Sequence, residues 1–129
     1  VVTVASVRID GRRYAVLSTT SGALLYEFSA DRPPETLCRD GGRFGDCTAI
    51  WHPLLSPSAP PPRAAVRLPG RLGVLDDADG RQVTYNGHPL YTYAGPRQGS
   101  LPAEASWRGE WFFLVTPTIE PPRGCPPIC

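Results

Sequence analysis

The sequence contains no lysine and no methionine, and only two histidines, His52 and His88, in 129 residues. Each absence narrows what the chain can do. Without methionine, a Met-ligated copper or haem site within the chain is excluded. Without a Cys-x-x-Cys-His run, covalent c-type haem is not indicated. No Gly-x-Ser-x-Gly elbow supplies a hydrolase nucleophile, and each histidine sits beside a proline next to an aromatic element, as ordinary packing would place it. No apolar run approaches the ~20 residues that span a bilayer as a helix. A formal net charge of +1 gives no strong overall field toward nucleic acid or an acidic membrane. All thirteen basic residues are arginine, which we read as coding bias, since no physical requirement forbids lysine on a surface. The first residue is Val1 rather than methionine, and the expectation is that a signal peptide or lipoprotein leader precedes it.

What is present is proline, glycine and an even number of cysteines. Sixteen prolines and thirteen glycines argue against a helical protein. Four cysteines in so small a chain point to disulfides and an oxidising compartment. Three pairings are open. The expectation is the local one, Cys38 with Cys47 and Cys125 with Cys129, each worth ~2–3 kcal/mol by loop entropy. Zinc is the competing use of these thiols, but their spacing matches no standard finger.

Short β-rich runs recur between turn residues: VTVASVRI, RYAVLS, ALLYEF, AIWHPL, RLGVLD, RQVTY, HPLYTY and EWFFLVT. This is the pattern of an all-β domain, a compact antiparallel sandwich or barrel. Asn86-Gly87 lies between two such runs and suits the two positive φ angles of a type I′ hairpin turn. Residues 56–70, SPSAPPPRAAVRLPG, cannot be a central strand and read as a connector. That divides one domain, 1–129, into a half at about 1–55, a half at about 71–117 and a Pro/Cys tail at 118–129.

The two halves share a motif. Gly22, Leu25, Tyr26 and Phe28 recur 65 positions later as Gly87, Leu90, Tyr91 and Tyr93. Strand alternation puts Tyr26 and Phe28 on one side with Leu25 on the other, and treats the second copy likewise. Two hairpin-based repeats packed about a pseudo-twofold are expected.

The run Tyr26-Glu27-Phe28-Ser29-Ala30-Asp31, followed by Cys38, Cys47 and the Trp51-His52-Pro53-Leu54 element, resembles a family of bacterial secreted repeats and lipoproteins carrying a Tyr-x-aromatic-x-x-Asp motif. RQVTYNGHPLYTYAG and EWFFLVTP are similar to that family's second half, so the resemblance covers about residues 13–117. It departs in having Pro96 where the second aspartate would stand, His52 for a proline, and a long Cys38–Cys47 loop. The family carries no established biochemical activity. The resemblance therefore implies the cell exterior, a tandem β-rich repeat and, for some members, a lipid anchor, here upstream of Val1.

Asp31 precedes Arg-Pro-Pro and is expected to close an Asx-type turn, which a proline could replace in the second copy; a binding role is the alternative. Asp76-Asp77-Ala78-Asp79-Gly80 lacks the terminal glutamate of a calcium loop, because its twelfth position is Gly87, and reads as a solvated turn. His52, His88, Asp76, Asp77 and Asp79 are the candidates if a metal binds. Tyr26, Phe28, Tyr91 and Tyr93 are either core or, facing outward, a ring shelf for a sugar or a partner protein. The function expected is a secreted or cell-surface, non-enzymatic module without a cofactor, binding wall glycan or an envelope protein. An extracellular redox or metal-handling protein is the alternative.

Overall fold

The computed structural model describes residues 1–32, 36–38, 44–56, 62–77, 80–95 and 104–122. Asp79, Pro96, Cys125, Cys129 and the side chain of Asp77 lie outside them, and with them the expected Cys125–Cys129 bridge. The chain is all-β, with antiparallel sheets and, among the described residues, one four-residue helix, α1 (Cys47–Ile50). No helix among the described residues is long and apolar enough to cross a membrane.

Strands β1 (Val2–Ile9) and β2 (Arg12–Thr19) form a two-stranded ribbon. Strands β5 (Leu72–Asp77), β6 (Gly80–Tyr85) and β7 (His88–Pro89) form a three-stranded sheet. The remaining strands are β3 (Tyr26–Phe28), β4 (Trp51–Pro53), β8 (Tyr91–Tyr93), β9 (Glu104–Trp107) and β10 (Glu110–Leu114). They build a five-stranded sheet in the order β4-β8-β3-β10-β9. Hairpin turns occur at Asp10-Gly11, Asn86-Gly87 and Arg108-Gly109, each with two positive φ angles. At Asn86-Gly87 these are 48° and 87°, as the dipeptide predicts. Strand β9 and helix α1 were not expected. The Ala49-Ile50 end of the AIWHPL run is helical, and only Trp51–Pro53 is strand.

Alternation along β3 and β8 separates two cores. Tyr26, Phe28 and Tyr91 enter an aromatic core with Phe44, Trp51, Phe112 and the Cys38–Cys47 disulfide. Leu25 and Leu90 enter an aliphatic core with Val2, Leu17, Val83, Tyr85 and Val115. In the aromatic core Phe112 stacks on Trp51 at 4.0 Å and on Phe28 at 4.2 Å. Tyr26 meets Trp51 edge-on, and Tyr91 meets Phe112 edge-on, the geometry the ring quadrupoles favour.

The strand order crosses the expected halves. β4 pairs with β8, whereas β10 pairs with β3, so each half receives a strand from the other. Tyr26 and Tyr91 are direct antiparallel partners where the halves meet. Two rings of backbone hydrogen bonds flank this point. Leu17 N–H donates to Val115, Val115 to Leu25 and Leu25 to Leu17; likewise Val83 donates to Leu54, Leu54 to Leu90 and Leu90 to Val83. The described part of the connector, 62–70, contains no strand, but Val2 bonds to Arg63 and Ala65. Downstream of β10, Tyr85, Asn86 and His88 donate to the carbonyls of Pro117, Ile119 and Glu120, fastening this segment to the β6–β7 turn.

Candidate functional site

The four aromatic candidates take the core role. Tyr26, Phe28 and Tyr91 are 0–2% exposed, and Tyr93 is half-buried against Trp51. Their rings are therefore not an outward shelf. The reverse face of the same sheet supplies outward groups instead. Along β10, Phe112 and Leu114 point into the aromatic core, so Trp111 and Phe113 point the other way. Phe113 lies opposite Glu27 on one side and Glu104 on the other; Trp111 lies opposite Ser106. This face begins as aliphatic core at Leu25 and Val115, passes through half-buried Glu27 and Phe113, and reaches solvent at Trp111, which is 43% exposed. The Trp111 and Phe113 rings lie 6.3 Å apart and within 21° of parallel.

Ser29 holds Trp111 in register. Its backbone N–H donates to Trp111 O, its hydroxyl accepts from Trp111 N–H at 2.8 Å, and the same hydroxyl donates to Glu110 Oε1 at 3.0 Å. Beside it opens a cleft of about 170 Å³ lined in part by Glu27, Ser29, Asp31, Arg32, His88 and Pro89. Arg32 curls over the rim, donating to the carbonyls of Ser29 and Asp31.

Within the cleft, His88 Nδ1 stands 3.9 Å from Glu27 Oε1, and both side chains are about 15% exposed. His88 Nε2 lies 2.7 Å from the carbonyl of Glu120 and must donate to it, so in the neutral ring Nδ1 carries a lone pair toward Glu27. Burial, and then the negative charge of Asp31, push the Glu27 carboxyl up to about 7. Burial pushes His88 below its ordinary range against the opposing effect of its bond to Glu120. An ion pair would move both groups the opposite way. At 3.9 Å the contact is also too long for a hydrogen bond. Near neutrality the Glu27 carboxyl is thus about half protonated and His88 is held toward its uncharged form, so the two do not make a salt bridge.

Asp31 reaches beyond the local turn expected of it. Its backbone N–H ends a turn by donating to Phe28, but its carboxylate reaches further. Oδ1 accepts from Leu37 N–H, six residues on, and Oδ2 accepts from the Tyr91 hydroxyl, 60 positions away, both at 2.8 Å. A side chain confined to a local turn would not reach Tyr91; this one ties the segment after β3 to β8.

Among the described residues the metal candidates do not converge. His52 is exposed on β4, and Asp76 is exposed on β5 with a long contact to Arg81 at 3.9 Å. No group of three or more His, Cys, Asp or Glu among the described residues is placed to share an ion. Trp111, Glu27 and Arg32 were not singled out as a site by the sequence. Alternation alone could have paired Trp111 with Glu27 on one face, but only after the register of β10 against β3 was known. No protein-family model, curated protein or solved structure matches the chain.

Proposed function

We propose that this is a secreted or cell-surface binding module whose outward sheet face takes a glycan of the cell wall. One observation carries the reading: exposed Trp111 lies near-parallel to half-buried Phe113 on the sheet face that also carries Glu27 and Ser29, which line a cleft of carboxyl, hydroxyl and guanidinium groups. An indole face packs against the C–H face of a pyranose, while Glu27, Ser29 and Arg32 offer hydrogen bonds to its hydroxyls. Binding rather than catalysis is favoured because the second carboxylate, Asp31, already accepts from Leu37 and Tyr91, so Glu27 has no free carboxylate partner in the cleft. The buried disulfide Cys38–Cys47 and the resemblance to the Tyr-x-aromatic-x-x-Asp proteins support an oxidising, extracytoplasmic setting.

In the same reading the fold is two copies of one unit that have exchanged closing strands. The direct Tyr26–Tyr91 pairing, the two hydrogen-bonded rings, and the stacked Trp51 and Phe112 at corresponding places all support it.

The test is titration of the protein with soluble wall-glycan oligosaccharides, followed by calorimetry. Trp111→Ala should weaken binding by about tenfold or more, as loss of a stacking aromatic does at sugar and interface hot spots. Its melting temperature should change little, since the ring is exposed. Unchanged affinity in Trp111→Ala would remove the glycan face from consideration.

A further inference from the structure

Among the described residues, the outer part of the β1–β2 ribbon is not built into either core. Among the described residues, the backbone bonds joining it to the rest of the fold involve only Val1, Val2 and Leu17 to Thr20. Residues 12–15 are all exposed, as are Ser6, Arg8 and Asp10, whereas Val16, Leu17 and Ser18 at the base are buried. At ~3.3 Å per residue the free part extends about 20 Å. Its register sets Arg8 directly opposite Arg13 and Ile9 opposite Arg12. Like charges facing across a ribbon are destabilising. None of the three arginines makes an ion pair within the described residues. Asp10 at the turn offsets one of these charges and leaves a net +2 over residues 8–13, which the overall charge of +1 hides because acids elsewhere in the chain offset it.

We infer that the end of this ribbon is a second binding surface, for a linear phosphate-bearing polymer. A guanidinium fork matches phosphate oxygens two at a time, and an anion between Arg8 and Arg13 converts their repulsion into attraction. Arg12 faces the opposite side of the ribbon from Arg8 and Arg13, so a flexible chain that bends round the tip meets all three. A bilayer is disfavoured because the apex is Asp10, an acid that would have to lead any insertion. Nucleic acid is disfavoured because residues 1–20 contain no Asn or Gln to read base edges and only Tyr14 to stack on a base. The surface is independent of the Trp111 face.

The probe is inorganic polyphosphate, titrated by fluorescence anisotropy at several salt concentrations. Binding is expected, with log K falling against log salt at a slope of roughly −2 to −3 for three contacts. A triple variant, R8Q/R12Q/R13Q, should lose about tenfold or more in affinity at low ionic strength. Arg13→Gln alone should weaken binding several-fold while raising the melting temperature, a combination that a merely structural arginine would not produce. Absence of binding at low salt, or binding that the triple variant retains, would overturn the inference. So would tighter binding to duplex or single-stranded DNA, or to phosphatidylcholine vesicles containing phosphatidylglycerol, since each would give the ribbon a different occupant.

Discussion

The hydroxyl of Tyr91 donates to Asp31 Oδ2 at 2.8 Å, joining the last residue of the first copy's motif to the leading tyrosine of the second. Both groups are buried, and the same carboxylate also receives the Leu37 N–H. The aspartate therefore ties the segment after β3 to β8. Asp31→Ala leaves a buried hydroxyl and a peptide N–H without their acceptor and should cost about 2–4 kcal/mol. Asp31→Asn keeps one acceptor and should cost about half as much. In urea unfolding, Asp31→Ala combined with Tyr91→Phe should cost less than the sum of the two single variants. Strict additivity would mean the bond contributes nothing.

Truncation of the edge-packed tyrosines should be severe. Tyr26→Ala and Tyr91→Ala each remove a fully buried ring from the Trp51–Phe112–Phe28 stack and should cost ~3–5 kcal/mol. Near-neutral values in denaturant titrations would contradict their place in the core.

Glu27 should make stability fall as pH rises. Its folded pKa of about 7 lies above the model-compound value of 4.5, so the protonated form is the one that folding favours. That contribution is complete below pH 4.5 and is lost as pH rises through 7. Its size is about 1–2 kcal/mol once partial exposure is allowed for. His88 acts in the other direction: its lowered pKa supports the fold above about 6.5 and is a liability as pH drops below that value. Glu27→Gln should therefore raise the melting temperature at pH 8 and leave it nearly unchanged at pH 5. Equal shifts at both pH values would show that the carboxyl is not held neutral.

Gly70 has no room for a side chain. A Cβ there would fall 2.5 Å from the Tyr85 ring and hydroxyl, and Tyr85 is fully buried and cannot yield. Gly70 N–H also donates to that hydroxyl, which in turn holds Pro117. Gly70→Ala should cost about 1–3 kcal/mol. Thermal unfolding followed by near-UV circular dichroism would report it, and an unperturbed tyrosine signal would contradict this packing.

The Cys38–Cys47 bridge closes a short loop against the aromatic core. Replacing both residues by serine should cost roughly 2–3 kcal/mol. A melting temperature insensitive to reductant would count against it.

Local patterns were legible from the residues. Alternation in LLYEF and PLYTY placed Tyr26 and Tyr91 opposite Leu25 and Leu90, and two separate cores receive them. Asn86-Gly87 specified its own turn because both residues tolerate positive φ at small cost. The even cysteine count and the nearness of Cys38 to Cys47 anticipated their pairing. In each case the controlling interaction lies within about a dozen residues, so composition and spacing carry it.

The face proposed to bind was not legible in this way. EWFFL is apolar on both sides of its strand, and nothing local says that Phe112 goes inward while Trp111 meets solvent. That choice follows from the pairing of Phe112 with Phe28, 84 positions away, and from the strand order that sets β10 beside β3 and β4 beside β8. The role of Asp31 had the same origin: a carboxylate beside prolines reads as a turn until the fold brings Tyr91 to it. The composition determines that this chain makes strands, turns and a two-sided core. Strand order and register determine which residues face one another across the sheet, because those contacts are made between segments whose sequences do not refer to each other.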